Sequence, residues 1–516
     1  MRSEDQSGIA AAGGNGLRRR LLRTRGIDAL IAASEAPERR LRKTLGPWSL
    51  IGLGVGAVIG SGIFILTGTA AAGQQLQFKS ILNAPILDLM LNGGNAVSTI
   101  GRLGAGPGIS LSFLVTALVC GFAALCYAEQ ASMIPIAGSA YTYAYATLGE
   151  IFAWIIGWDL ILEYAVSNMA VAVGFSNYLN DLFDNVFHFH LPAAIAKSPI
   201  GPGGVPSGSY FNLMALVVLL VLTWVLVRGM RESATTNNVM VLVKIAAILI
   251  FVIGAAHAVN TANWHPFLPN GIPGMLTGSA IVFFTYIGFD SVSTAAEECR
   301  NPQRDMPVGI IVTLVVCAVL YIAVALVLTG IAPWSTLNTD APVADALKHL
   351  GMNKIRGWVT VGALVGMISS LLVFQYGQAR IWFAMSRDGL LPKLFSRVHP
   401  KFETPHVSTW IAGLVVGIPA GIWDIDTFAD LSNIGTLFAF IVVSAGVLVL
   451  RRTQPERPRS FRVPWCPVMP VISIVFCLVL MMALPLITWL RFVVWLAIGL
   501  VIYGVFGRKH SVLETE

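Results

Sequence analysis

Twelve apolar stretches, each long enough to cross a bilayer as a helix, occupy most of this chain between Gly46 and Gly507. They centre on 48–70, 109–131, 150–178, 211–227, 239–258, 274–295, 308–331, 358–385, 406–422, 430–450, 468–488 and 490–507. A helix rises about 1.5 Å per residue, so about 20 apolar residues match the hydrocarbon thickness. Backbone polar groups in lipid have no water to bond, which leaves helices as the economical way to satisfy them. The expected fold is an all-α integral membrane protein of about twelve transmembrane helices.

Charge supports the same solvent. Only 12% of the 516 residues are charged and the mean hydropathy is +0.73, whereas soluble domains carry roughly 25% charged residues. The net charge of +7 raises nucleic acid as a partner. The basic residues, however, stand between apolar runs and not along an aromatic-interleaved helix face, which argues against it. Six cysteines (120, 126, 299, 317, 466, 477) form no CxxC pair, so neither a disulfide framework nor a zinc site is indicated. The eight histidines fall in loops or at helix ends, and no nucleophile–base pair stands out. No metal, cofactor or enzyme activity is expected.

The first apolar run is not followed by a cleavage site and reads as a spanning helix. With the N-terminus cytoplasmic, twenty-five Lys and Arg fall on the cytoplasmic side and seven on the other. That asymmetry predicts both termini in the cytoplasm of a multi-pass cell-membrane protein. Residues 1–46 read as a mostly disordered cytoplasmic tail, in which Ile27 to Ala33 could form a turn or two of surface helix. Residues 508–516 read as a second cytoplasmic tail. The Gly-rich segment 74–108, with Lys79, Asp88 and Arg102, reads as an external loop with one short helix.

The first span contains Gly52, Gly56 and Gly60, a repeat of four that puts small residues on one face for close packing. Gly60-Ser61-Gly62 lowers the cost of unwinding the helix at mid-membrane. Unwinding exposes N–H groups at the start of the next half-helix, an anion site suited to a carboxylate. Carbonyls ending the first half-helix can accept from an ammonium group. A near-match to a dinucleotide fingerprint here has its third glycine misplaced and no preceding strand, and is rejected.

The sixth span reads Phe283-Phe284-Thr285-Tyr286-Ile287-Gly288-Phe289-Asp290-Ser291, a second glycine-centred interruption; Asp290 or Ser291 reads either as a helix cap or as a pocket residue. The two interrupted spans start five spans apart, an odd step, so they cross in opposite directions. Paired broken helices, each opening a five-helix half, imply an inverted repeat with a site at the midplane. Residues 47–258 would form the first repeat, 259–450 the second, and 451–507 two further helices.

Lys244 stands alone in an apolar run, where a central Lys costs about 2.5–3.5 kcal/mol. It either snorkels to the surface or exchanges a proton from a desolvated site. Glu163 either lines the cavity or pairs with a neighbouring helix. Ser369 and Ser370 read either as facing the cavity or, preferred, as bonding their own helix backbone.

Leu45-Gly46 with Gly54 to Phe64, Ile136 to Tyr141 with Gly149-Glu150, Gly157 to Tyr164, Phe284 to Glu298, Asn301-Pro302 and Ala384 to Pro392 together resemble the amino acid–polyamine–organocation superfamily, within it the cationic amino acid transporter branch, over about 40–507. The resemblance implies a leucine-transporter-like five-plus-five inverted repeat and secondary transport of an amino acid, proton-coupled, with exchange as the alternative. It implies a carboxylate near Gly60, Ser61 and Gly62, and an ammonium at carbonyls near Val58, Ile59, Phe284 and Ile287, with Thr285 beside them. Lys244 looks like the lysine that replaces sodium in proton-coupled members. Tyr286, Glu163 and Asp290 are further pocket or gating candidates. The longer 74–108 segment departs from the family. A small membrane subunit as a further partner is left open.

Overall fold

The computed structural model describes residues 23–24, 26–34, 43, 45–75, 79–93, 101–136, 138–184, 188–201, 206–228, 234–402 and 404–511. Most of the expected N-terminal tail, including its arginine triplet, and residues 512–516 lie outside the described residues.

The helices that matter here run as follows: α1 (Ile27–Ser34), α2 (Pro47–Val58), α3 (Ser61–Ala72), α4 (Ile86–Asn92), α5 (Ile109–Met133), α6 (Ser139–Thr147), α7 (Glu150–Leu182), α8 (Leu213–Val227), α9 (Ala234–Ala255), α10 (Gly271–Val282), α11 (Pro302–Ile331), α12 (Pro342–His349), α13 (Asn353–Arg387), α14 (His406–Ala420), α15 (Ile425–Thr453), α16 (Val468–Met482) and α17 (Leu486–Ile502). Among the described residues, eight helices are long and apolar enough to cross a membrane, or nine if the bent pair α2–α3 counts as one span. The shorter apolar helices α8, α14 and α16 stand beside them. The protein is therefore an α-helical, multi-pass membrane protein.

Long α7 is the central post. It packs against α13 on one side and α15 on the other, while α5 packs along α11. Ser167 on α7 meets Ser432 on α15 at 2.6 Å. Small and hydroxylated residues let these backbones approach, and van der Waals contact and interhelical hydrogen bonds then hold them where lipid gives no hydrophobic drive.

Two features differ from the sequence expectation. Ile27–Ser34 is a helix, with Ile27 and Leu30 buried; Asp28 pairs with Arg457 at 2.7 Å, and that guanidinium holds the Asp28 carboxyl below its ordinary range. Apolar anchoring on the protein body, rather than on lipid, orders this piece of the expected disordered tail. The segment 74–108 contains the expected short helix, α4, but also a two-stranded antiparallel sheet, β1 (Gly73–Gln75) with β2 (Gly101–Leu103). Three-residue strands carry too little period-2 pattern to be read in advance. Gly101 is needed there because a side chain would collide with the Gln74 carbonyl of the facing strand.

At the opposite end, Glu129 of α5 is fully buried. It accepts from Arg451 at 2.9 and 2.7 Å, from the Val463 amide at 2.7 Å, and pairs with Arg459 at 3.2 Å. This ties α5, α15 and the segment after α15 into one knot.

Candidate functional site

The first broken span ends α2 at Val58 and restarts as α3 at Ser61, with a 44° bend between the two. Ile59 (ψ 89°) and Gly60 (φ −118°, ψ −143°) leave the helical region. Gly60 is the N-cap of α3 and supplies no side-chain cap. The first N–H groups of α3 thus lack intrahelical partners and carry the positive end of its dipole. Ser61 is buried and its Oγ has no hydrogen-bond partner.

The second broken span runs from α10 through a 3₁₀ turn (Phe283–Tyr286) to Ile287, which is extended (ψ 137°), and Gly288, at φ +113°. That φ favours glycine, since Cβ would crowd the backbone of any other residue. A second 3₁₀ helix follows over Phe289–Glu298. Gly288 takes the N-cap position and, having no side chain, caps nothing itself. The Asp290 carboxylate faces backbone amides at this helix start and the Ser291 hydroxyl donates to Gly288 O, so both readings of these two residues stay open. Both residues lie buried inside the first turn.

The two breaks lie against each other. A Cβ built on Gly62 would stand 3.1 Å from the Thr285 Cα and 3.2 Å from the Phe284 ring. One built on Gly288 would stand 3.0 Å from the Ala57 Cβ and 3.3 Å from the Val58 amide. The pairing runs 57 with 288 and 62 with 285, so the spans cross antiparallel. On the third side, a Cβ on Gly174 of α7 would approach the Ser61 Cβ at 2.6 Å. Sequence reasoning missed Gly174, because one glycine in a long apolar helix carries no signal of what it faces.

The end of α2 is held by side chains from three helices. Lys244 of α9 is fully buried and donates to Gly56 O at 2.6 Å and Ile59 O at 3.0 Å. Snorkelling to the membrane surface is therefore not what it does. Ser370 of α13 reaches Gly56 O, Ala57 O and Ile59 O at 3.1, 3.2 and 3.1 Å as well as Gly366 O of its own helix at 3.3 Å. The expected bonding to its own backbone is the longest of these four contacts. Tyr321 of α11 donates to Val58 O at 2.9 Å. Tyr321 was not singled out from sequence, since a tyrosine in an apolar helix shows no periodic mark. Its ring stacks edge-on against Tyr286 at 5.2 Å.

The carbonyls of Val58 and Ile59, expected to receive an ammonium group, thus already hold side-chain donors in this conformation. Phe284 O receives only the Ile287 amide, at 3.3 Å, among the described residues. Thr285 turns its hydroxyl back to Val282 O at 2.6 Å. Tyr286 points away, donating to Phe113 O at 3.0 Å. Glu163 on α7 is 1% exposed, with one carboxylate oxygen unpartnered. It lies within electrostatic reach of Asp290 and of Asp159, one turn earlier on the same face of α7.

Two antiparallel broken helices that expose backbone donors and acceptors inside a helical membrane protein are the layout of a membrane carrier. Residues 45–506 match the amino acid permease family. The chain is 46% identical over 494 residues to the methylthioribose transporter of Bacillus subtilis, spanning 96% of this chain and 99% of that protein. It is 44% identical over 497 residues to the branched-chain amino acid permease BcaP of the same organism, with the same two coverages. To the chloroplastic cationic amino acid transporter 9 of Arabidopsis thaliana it is 36% identical over 425 residues, covering 81% of this chain and 68% of that one. The chain belongs to the amino acid permease family of the amino acid–polyamine–organocation superfamily, and its family and relatives are transporters, not enzymes.

Proposed function

We propose that this protein is a secondary active transporter that carries amino acids by alternating access, coupled to protons in symport. The observation that carries this reading is the meeting of Gly62 with Thr285 and Phe284 at two opposed helix breaks. One break offers N–H groups and the other offers carbonyls, so an α-amino acid finds partners for both charged ends with no charged side chain between them. The carboxylate sits over Gly60, Ser61 and Gly62. The ammonium goes first to the carbonyls of Phe284 and Ile287, because those of Val58 and Ile59 already hold donors. Thr285 and Tyr286 line or brace this wall.

Lys244 supplies the coupling. As an ammonium group it clamps the end of α2 through Gly56 O and Ile59 O. On deprotonation both charge-assisted bonds weaken, and α2 is freed to rock. Glu163 and Asp290 serve as pocket or gating groups. The alternative is an exchanger in which Lys244 stays a fixed charge.

Counting the three shorter apolar helices as crossings beside the nine spans gives twelve. This supports a five-plus-five inverted repeat, 47–258 and 259–450, followed by two helices over 451–507, with the tails 1–46 and 508–516 on the cytoplasmic face. The basic-residue asymmetry supports that orientation.

A second reading comes from the 46% identity to a methylthioribose transporter. A neutral thio-sugar would use the N–H groups of α3 as neutral donors only. The deciding experiment is uptake by purified protein in liposomes of alanine, leucine, arginine and methylthioribose, with and without an inward proton gradient. Amino acid uptake stimulated by the gradient supports symport. Uptake that needs internal amino acid and ignores the gradient makes the protein an exchanger. Uptake of methylthioribose alone sinks the amino acid reading.

A further inference from the structure

A cavity of about 390 Å³ opens between the β1–β2 sheet and the start of α15, includes no residue of the two helix breaks in its lining, and is lined in part by Gln74, Arg102, Asp424, Asp426, Asp430 and Arg491. That volume is within the range of small-molecule sites. The three aspartates are 6%, 7% and 6% exposed, and they are not equivalent. Asp430 is taken by Arg102, whose two terminal nitrogens meet its two oxygens. Asp424 accepts from Thr427 at 2.7 Å. Asp426 gives one oxygen to the Gln74 amide at 2.8 Å, and its other oxygen, Oδ1, has no hydrogen-bond partner.

A buried carboxylate oxygen without a donor is costly, and buried charges are ordinarily paired. The only further lining cation among the described residues, Arg491, is exposed on the protein surface and donates no hydrogen bond to Asp426 Oδ1. No group of His, Cys, Asp or Glu among the described residues is arranged to hold a metal ion. Arg102 lies within electrostatic reach of Asp426 but gives its hydrogen bonds to Asp430, so Asp426 Oδ1 is an open acceptor that suits the N–H groups of a small organic cation.

We propose that this cavity is a binding subsite for the ammonium or guanidinium end of the incoming solute, which Asp426 Oδ1 accepts before the solute reaches the broken helices. The proposal rests on the reading of the protein as an amino acid transporter, and adds to it a second site on the face that carries β1 and β2. Asp430 and Arg102 hold the sheet in place, Gln74 orients Asp426, and Trp423 forms part of the wall. The same chemistry is offered by the α-ammonium of any amino acid and by the side chain of a cationic one.

The test titrates guanidinium and ethylammonium chloride at millimolar concentration and constant ionic strength into full-length protein in lipid nanodiscs, following tryptophan emission. The wild type should respond saturably, Trp423→Phe should lose the response, and Asp426→Asn should weaken it at least tenfold. Asp426→Glu should restore most of it, and Gln74→Ala, which removes the group that orients Asp426, should weaken it as well. An equal titration in wild type and all Asp426 and Gln74 variants overturns the subsite, as does a response to sodium as large as that to guanidinium. In liposomes, Asp426→Asn should raise KM for external solute at least fivefold with kcat within twofold. A larger effect for arginine than for alanine assigns the site to a side-chain cation, and an equal effect assigns it to the α-ammonium. If no amino acid is carried by the wild type, the transport reading fails while the titration still judges the cavity.

Discussion

Gly62 and Lys244 are single residues whose chemistry can be removed cleanly. A side chain at 62 has no room, since its Cβ alone falls 2.8 Å from the Thr285 methyl. Gly62→Ile should therefore reduce amino acid binding at least a hundredfold while the protein remains folded, as read by scintillation proximity binding alongside size exclusion. Retained wild-type affinity would move the carboxylate elsewhere. Lys244→Ala removes the ammonium from Gly56 O and Ile59 O. Uptake in that variant should lose its response to an inward proton gradient while exchange persists, which paired gradient and counterflow assays would show. Of these two residues, Gly62 was legible in the sequence from its Gly-Ser-Gly setting. Lys244 was legible as an anomaly, but both a surface and a buried reading were open until its two acceptors were known.

The second helix break depends on one backbone conformation. Gly288 sits at φ +113° with Ala57 3.0 Å from where a Cβ would be. Gly288→Ala should cost about 1–2 kcal/mol from the positive φ alone, lower the melting temperature in detergent, and slow uptake more than it weakens binding. An unchanged melting temperature and rate would mean that this turn relaxes freely. At the level of elements the sequence located both breaks, because glycine clusters in apolar helices are visible. It named Ser370 without fixing its partners, and it did not mark Tyr321 or Gly174 among what braces them. Tyr321, Ser370 and Gly174 come from three separate helices, and their roles exist only through distances of 2.6–3.4 Å across helix faces. The β1–β2 sheet was invisible for a different reason: three residues per strand give no periodicity to read.

Across the whole molecule, the knot at Glu129 joins elements more than 300 residues apart in sequence. Glu129→Gln should leave Arg451 and Arg459 without their carboxylate. A loss of about 3 kcal/mol is expected for breaking a buried pair of this kind, discounted somewhat because Arg451 is partly exposed. Thermal unfolding in detergent should show a clear fall in midpoint, with Glu129→Asp intermediate, and equal midpoints for the three forms would remove the knot from the stability of the fold. What the sequence determined by itself was the solvent and, through it, the helical class: too few charges to face water, and apolar runs of bilayer length that leave backbone groups no partner but their own helix. It also marked the places where those helices are weakest. Tertiary structure alone decided which donors and acceptors remain available at those places. Hydrogen bonds between helices depend on the rotation of each helix about its axis and its depth against its neighbours, and neither is encoded in the hydropathy of a single segment.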